Sequence, residues 1–162
     1  MPEMQPYQRI LALIDFDGMD RRTAEKAVLL ARLNRARLDF LHLIEPDGTL
    51  DGGYPGSNPK AAARDLEKAS LRRLDFLAAR LGAGEARCHA LYGPPRQRFL
   101  QHVREWQPDL IVTGEQPAYL AGSHDVLVLA GEKRPRRGRL LAALQRALGL
   151  RPPALGTRTR PR

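Results

Sequence analysis

Ile10-Leu11-Ala12-Leu13-Ile14 is an unbroken apolar run that ends at Asp15. A strand with one wet face alternates apolar and polar residues. A continuous run bounded by turn-formers instead suits a central parallel strand, buried on both faces between helices. Leu110-Ile111-Val112 and Val126-Leu127-Val128-Leu129 repeat the pattern, and Leu38-Asp39-Phe40-Leu41-His42-Leu43-Ile44 reads as a further strand. Ala86 to Tyr92 differs. Arg87 and His89 fall on one side, Cys88 and Ala90 on the other, as expected of an edge strand.

Helical patterns separate the strands. Ala24, Ala27, Val28 and Ala31 lie at helical spacing after a turn at Asp17-Gly18, with Asp20 placed to cap the helix. A glycine- and proline-rich loop from Glu45 to Asn58 follows the second strand, long enough to act as a flap. Asn58-Pro59 then opens a long helix with an N-cap and a first-turn proline. Its apolar face is expected to hold Leu66, Ala69, Arg73, Leu74, Leu77, Ala78 and Leu81, and Gly82 and Gly84 end it. Pro94-Pro95 start a third helix with Phe99, Leu100, Val103 and Trp106 inward, and Pro108 stops it. Strands alternating with helices predict an α/β fold with a doubly wound, mostly parallel sheet.

The charge of +9 is concentrated. Residues 1–130 hold 17 Lys+Arg and 17 Asp+Glu, whereas residues 131–162 hold 10 Lys+Arg and Glu132 alone. The chain is therefore read as a neutral domain, 1–130, carrying a basic extension, 131–162. Cys88 is the single cysteine, so no internal disulfide forms. No apolar run approaches the ~18 residues of a membrane span, and no secretory signal is evident. A cytoplasmic protein is the expectation.

Four segments carry a resemblance to the universal stress protein family. "YQRILALIDFDGMDRRTAEKAVLLARL" is a strand ending in Asp and running into an Ala-rich helix. "ARLDFLHLIEPD" is a second strand before a long loop. "ALYGPPRQRFLQHVREWQPDLIVTG" joins Gly-Pro, a helix, Asp-Leu-Ile-Val and Gly, and "DVLVLA" looks like the closing strand. The resemblance implies five strands in the order 3-2-1-4-5. It also implies a homodimer in which Val126, Leu127, Val128 and Leu129 pair with their symmetry mates. A crevice then opens where the strand order reverses, at the carboxyl ends of strands 1 and 4.

Nucleotide-binding members of that family carry Gly-x2-Gly-x9-Gly-Ser/Thr after strand 4, glycines that let backbone N–H groups reach phosphates. Gly114 matches the first position, but Pro117 stands at the second and offers no N–H. Glu115 adds a carboxylate, and Gly122-Ser123 follow Pro117 by four residues rather than nine. Tight ATP binding is therefore not expected, and no cofactor is required. The alternative reading is a reduced, adenosine-sized site for AMP or ATP. Asp15 would bond ribose or adenine, Leu43 would line the base, Gly114 would sit under the ribose next to Thr113 at the end of strand 4, and Gly122-Ser123 would close it. Each also has an ordinary reading: Asp15 as a turn residue, Leu43 as core, Gly114 as a strand-end glycine, Gly122-Ser123 as the turn into the last strand.

The connection between the last two strands is short. Eleven residues, Gly114 to His124, can span a strand but cannot also form three helical turns. The helix between strands 4 and 5 is thus missing or replaced. Either the crossover is a bare loop or strand 5 runs antiparallel, and in the family arrangement one sheet face loses its cover. Leu140, Leu141, Leu144 and Leu148 lie at helical spacing within residues 138–149. This amphipathic helix either replaces the lost cover or binds a protein partner or an anionic membrane surface, and the final residues read as a disordered end. No aromatic interleaves the arginines of the extension, so specific nucleic-acid recognition is not expected.

Cys88 and His42 are read as structural. No spacing of His, Cys, Asp and Glu resembles a metal site, and no nucleophile elbow is present. The expected function is a non-enzymatic regulatory or protective module of the stress response. The alternatives are an adenine-nucleotide sensor with a reduced site and a peripheral adaptor using the basic tail.

Overall fold

The computed structural model describes residues 5–16, 20–46, 58–115, 118–120 and 124–129. The elements, in chain order, are β1 (Arg9–Leu13), α1 (Asp20–Asn34), β2 (Arg37–Ile44), α2 (Pro59–Arg80), β3 (Arg87–Tyr92), α3 (Pro95–Trp106), β4 (Leu110–Thr113), a 3-10 turn (Ala118–Leu120) and β5 (Asp125–Val128). The sheet order is β3-β2-β1-β4-β5, and every pairing is parallel. No helix among the described residues is long and apolar enough to cross a membrane.

The unbroken runs sit where two-sided burial is needed. Ile10, Ala12 and Ile14 of the β1 segment face α1 and α2, packing with Phe40, Val112, Ala24, Ala27, Leu74 and Ala78. Leu11 and Leu13 face the other way, with Leu41, Ile111, Phe99, Val103 and Leu120. The alanines of α1 are what let that helix approach the sheet closely.

β1 is seated by Asp109. Its carboxylate accepts the N–H of Gln8 at 2.7 Å and that of Arg9 at 2.9 Å, and its own N–H donates to the Arg9 carbonyl at 2.9 Å. The residue before β4 thereby sets the register of β1 beside it (Ile10 with Leu110, Ala12 with Val112).

The helix boundaries follow local chemistry. Asn58 Oδ1 accepts the N–H groups of Lys60 and Ala61, capping α2. Gly82 ends α2 in the left-handed region, φ 66°, with Ala83 N–H returning to the Ala78 carbonyl. Arg32 of α1 donates to the Leu81 and Gly82 carbonyls at 3.2 Å, so the helix end is closed from its neighbour. Gln107, φ 51°, closes α3 ahead of Pro108.

Two expectations change. Leu66 (41% exposed) and Ala69 are not part of the inward face of α2. The helix has 22 residues, roughly 33 Å, and outruns strands of 5–8 residues, so Leu74 and Ala78 in its second half carry the packing. The β4–β5 crossover, left open between two arrangements, resolves in favour of a parallel β5. Among the described residues of the crossover, a 3-10 turn at Ala118–Leu120 stands where a helix was expected to be missing or replaced. The sheet beneath is not bare: Leu120 is 5% exposed, and Leu11, Leu13 and Ile111 beside it are 4% or less. The extension from residue 131, with its helix 138–149 and Leu140, Leu141, Leu144 and Leu148, lies outside the described residues, as does most of the Glu45–Asn58 loop.

Candidate functional site

The order of strands reverses between β1 and β4, and the segments leaving their carboxyl ends are built differently. After β1, Ile14 is fully buried and donates its N–H to the Leu41 carbonyl at 2.9 Å. The Ile14 carbonyl lies 2.7 Å from His42 Nδ1. A carbonyl only accepts, so Nδ1 carries the proton. Phe16 then turns into the left-handed region, φ 57°, an unfavourable conformation for a bulky residue. Three contacts hold it. Its N–H donates to Asp20 Oδ1 at 2.7 Å, the Arg73 guanidinium lies 3.8 Å from its ring centroid, and the His42 ring lies at 4.5 Å. Asp15, exposed, projects from this anchored corner.

After β4, Thr113 is fully buried. Its hydroxyl donates to the Glu115 carbonyl at 2.5 Å, and its own carbonyl accepts the Leu129 N–H at 2.8 Å. The hydroxyl is thus committed to shaping the turn through half-buried Gly114, with Glu115 exposed just beyond. Leu43, near the end of β2, is half-buried and packs on the α3-side core. The structure therefore brings Asp15, Leu43, Thr113 and Gly114 to one end of the sheet. Gly122 and Ser123 lie outside the described residues.

Tyr119 is a residue the sequence reading gave no role. It stands on the 3-10 turn with its ring 5.1 Å from that of Phe99. Burial pushes its phenol pKa up, and the charges of Asp15 and Glu45 push it further. The available signal was an aromatic residue in a crossover too short for its helix. Among the described residues, Asp15, Glu45 and Glu115 make this end of the crevice acidic, offset in part by Arg73 against Phe16, and the carboxylates oppose a polyphosphate.

A second group lies on the α3 side. His89 Nε2 is 2.7 Å from Oδ2 of buried Asp39, and the His102 ring centroid is 4.6 Å from that of His89. Burial holds the His102 imidazole below the usual histidine range, and His89 adds to that. Residue spacing did not reveal this group, because its members come from β2, β3 and α3. The signals were an acid inside an apolar strand and a histidine on the inward stripe of an amphipathic helix, between Phe99 and Trp106.

Cys88, read as structural, packs half-buried against the α1–α2 side of the core. Its thiol pKa is pushed up to about 12, first by burial and then by a hydrogen bond to Asp75. A thiol held protonated is a poor nucleophile.

A family model described as "Universal stress protein family" matches residues 6–141. "Universal stress protein A homolog 2" of Coxiella burnetii (strain RSA 493 / Nine Mile phase I) is 27% identical over 133 residues, covering 79% of this chain and 85% of that protein. A solved protein from the universal stress protein family of Burkholderia pseudomallei superposes with a TM-score of 0.61 at 20% identity, over 79% of this chain and 99% of its own. A solved universal stress protein in complex with cAMP gives 0.54 at 19% identity, over 76% and 97%. These two structures share the fold described above.

Proposed function

The chain belongs to the universal stress protein family, and on that premise we propose that it is a non-enzymatic regulatory or protective module of the stress response, cytoplasmic and dimeric, that does not bind ATP tightly. The observation that carries this reading is the crossover after β4. A phosphate-binding arrangement needs free N–H groups and a helix start. Among the described residues of this crossover stands a three-residue 3-10 turn, with Tyr119 on it under the charges of Asp15 and Glu45, and Pro117 in the sequence just before it has no N–H to offer. The proposed dimer contact is the outer edge of β5, the terminal strand of the sheet. An apolar edge needs a partner or a cover.

A second reading is supported by the convergence of Asp15, Leu43 and Gly114 at one end of the sheet. It is an adenine-nucleotide sensor with a reduced site. A cyclic monophosphate carries a single negative charge and suits an acidic mouth better than a triphosphate does. The relative solved with cAMP makes that nucleotide the first to try. A third reading assigns residues 131–162 to an anionic surface or a protein partner.

Mass spectrometry of the purified protein for ATP, ADP, AMP and cAMP, with calorimetric titration of each, separates the first two. Stoichiometric ATP would overturn the first. Flotation with anionic liposomes across a salt series tests the third.

A further inference from the structure

We propose that Asp39, His89 and His102 form a binding site for one divalent transition-metal ion, with Zn2+ as the best fit. One ligand atom from each residue lies within 4.8 Å of the other two. Tetrahedral zinc, with bonds of ~2.0–2.2 Å, holds its ligand atoms roughly 3.2–3.6 Å apart. Side-chain rotations of about an ångström convert the present arrangement into that one.

An independent observation points the same way. His102 is 7% exposed, and its Nε2 is buried with no hydrogen-bond partner among the described residues. Buried imidazole nitrogens are ordinarily satisfied, and a bound ion is one way to satisfy this one. Stacking with Trp106, ring centroids 6.4 Å apart, helps to fix the ring. All three residues stand on regular elements, β2, β3 and α3, and such elements hold ligand positions better than loops do.

The donor set selects the ion class. Two imidazoles and a carboxylate suit Zn2+, Co2+ and Ni2+. Mg2+ and Ca2+ prefer sites made of oxygens. In the metal-free state Asp39 Oδ2 accepts the His89 Nε2–H at 2.7 Å. Ligation through Nε2 needs that atom's lone pair, so the neutral ring carries its proton on Nδ1 once the metal is bound. Three protein ligands leave a fourth position for water. The His89 side chain is 30% exposed, so solvent reaches the site past it; Asp39 and Trp106 also border a cavity of about 470 Å³. Arg37 and Arg87 line the same cavity and repel a cation. Both are exposed, so water and salt screen them more than they screen the buried Asp39 carboxylate. The site is separate from the crevice: Asp39 precedes Leu43 by four residues along β2, roughly 13 Å.

The test uses tag-free full-length protein. Co2+ is titrated first, with the visible absorption of low-coordinate cobalt as the readout, and Zn2+ competition follows by calorimetry. The expected result is saturation at one ion per chain, no response to Mg2+, and at least a tenfold loss of affinity in both His89→Gln and His102→Gln. His42→Gln, on the opposite face of the sheet, retains binding. If His102→Gln fails to fold, His89→Gln decides alone, because that side chain is partly exposed and its replacement is tolerated. Absence of saturable binding, or binding unchanged in His89→Gln, overturns the proposal.

Discussion

The guanidinium of Arg73 lies 3.8 Å from the ring centroid of Phe16, clamping the one non-glycine residue of the β1–α1 turn described in a left-handed conformation. Exposed cation–π pairs contribute about 0.5–1 kcal/mol. Arg73→Ala is expected to lower unfolding stability by about that amount, read from urea denaturation. A larger loss would mean that Arg73 also holds the crevice corner in shape.

Asn58 tests whether the long second helix is set by its own cap. Its side chain is the acceptor for two first-turn N–H groups. Asn58→Ala should cost about 1 kcal/mol in the same assay, and Asn58→Asp should be nearly neutral.

The acidic mouth predicts an order of nucleotide affinities. By calorimetry, cAMP and AMP should bind more tightly than ATP. Glu115→Gln should improve ATP more than AMP, by roughly two- to fivefold, the scale of one exposed charge contact. Asp15→Ala should weaken all of them by about tenfold if its carboxylate accepts from ribose or adenine. Equal affinities across the series would remove Asp15 and Glu115 from any binding role.

Cys88 gives a pH-dependent readout. Its folded pKa, about 12, exceeds its ordinary 9.0. The folded form therefore retains a proton that the unfolded form gives up between those values. The contribution is complete below about pH 9 and is lost as pH rises toward 12. Urea midpoints should fall over that window in the wild type and fall less in Cys88→Ala. Iodoacetamide at about pH 8 should label native protein far more slowly than unfolded protein.

The edge of β5 can be tested without disturbing the sheet. Leu129 N–H points to Thr113, so by alternation Leu127 also faces β4, and Val126 and Val128 face outward. Val128→Pro removes an outward donor and leaves the β4–β5 ladder intact. Light scattering should then report a dimer for the wild type and a monomer for the variant. A dimer in both would move the interface elsewhere.

The fold was legible because each strand type announces its surroundings. Ile10–Ile14 could only be central, Arg87–Tyr92 only marginal, and Asn58-Pro59 and Gly82 marked helix ends by local chemistry. The candidate sites were less legible for two reasons. Thr113 and Gly114 could be placed at a strand end, but not the hydrogen bond that commits the Thr113 hydroxyl to the chain itself. Asp39, His89 and His102 meet only through the sheet order and the facing of α3, relations that no spacing encodes. Leu66 failed because periodicity describes a helix face and not where the sheet beneath it stops.

Asp109 has a consequence for synthesis. The strand it seats, β1, leaves the ribosome before the other four strands and lies in the middle of the finished sheet. Its β2 side can be paired early, with β3 following. Its other edge stays open until residues 109–113 emerge. The nascent chain thus carries an apolar, unpaired strand edge through most of its translation, and holdase binding should be strongest before that stretch clears the exit tunnel.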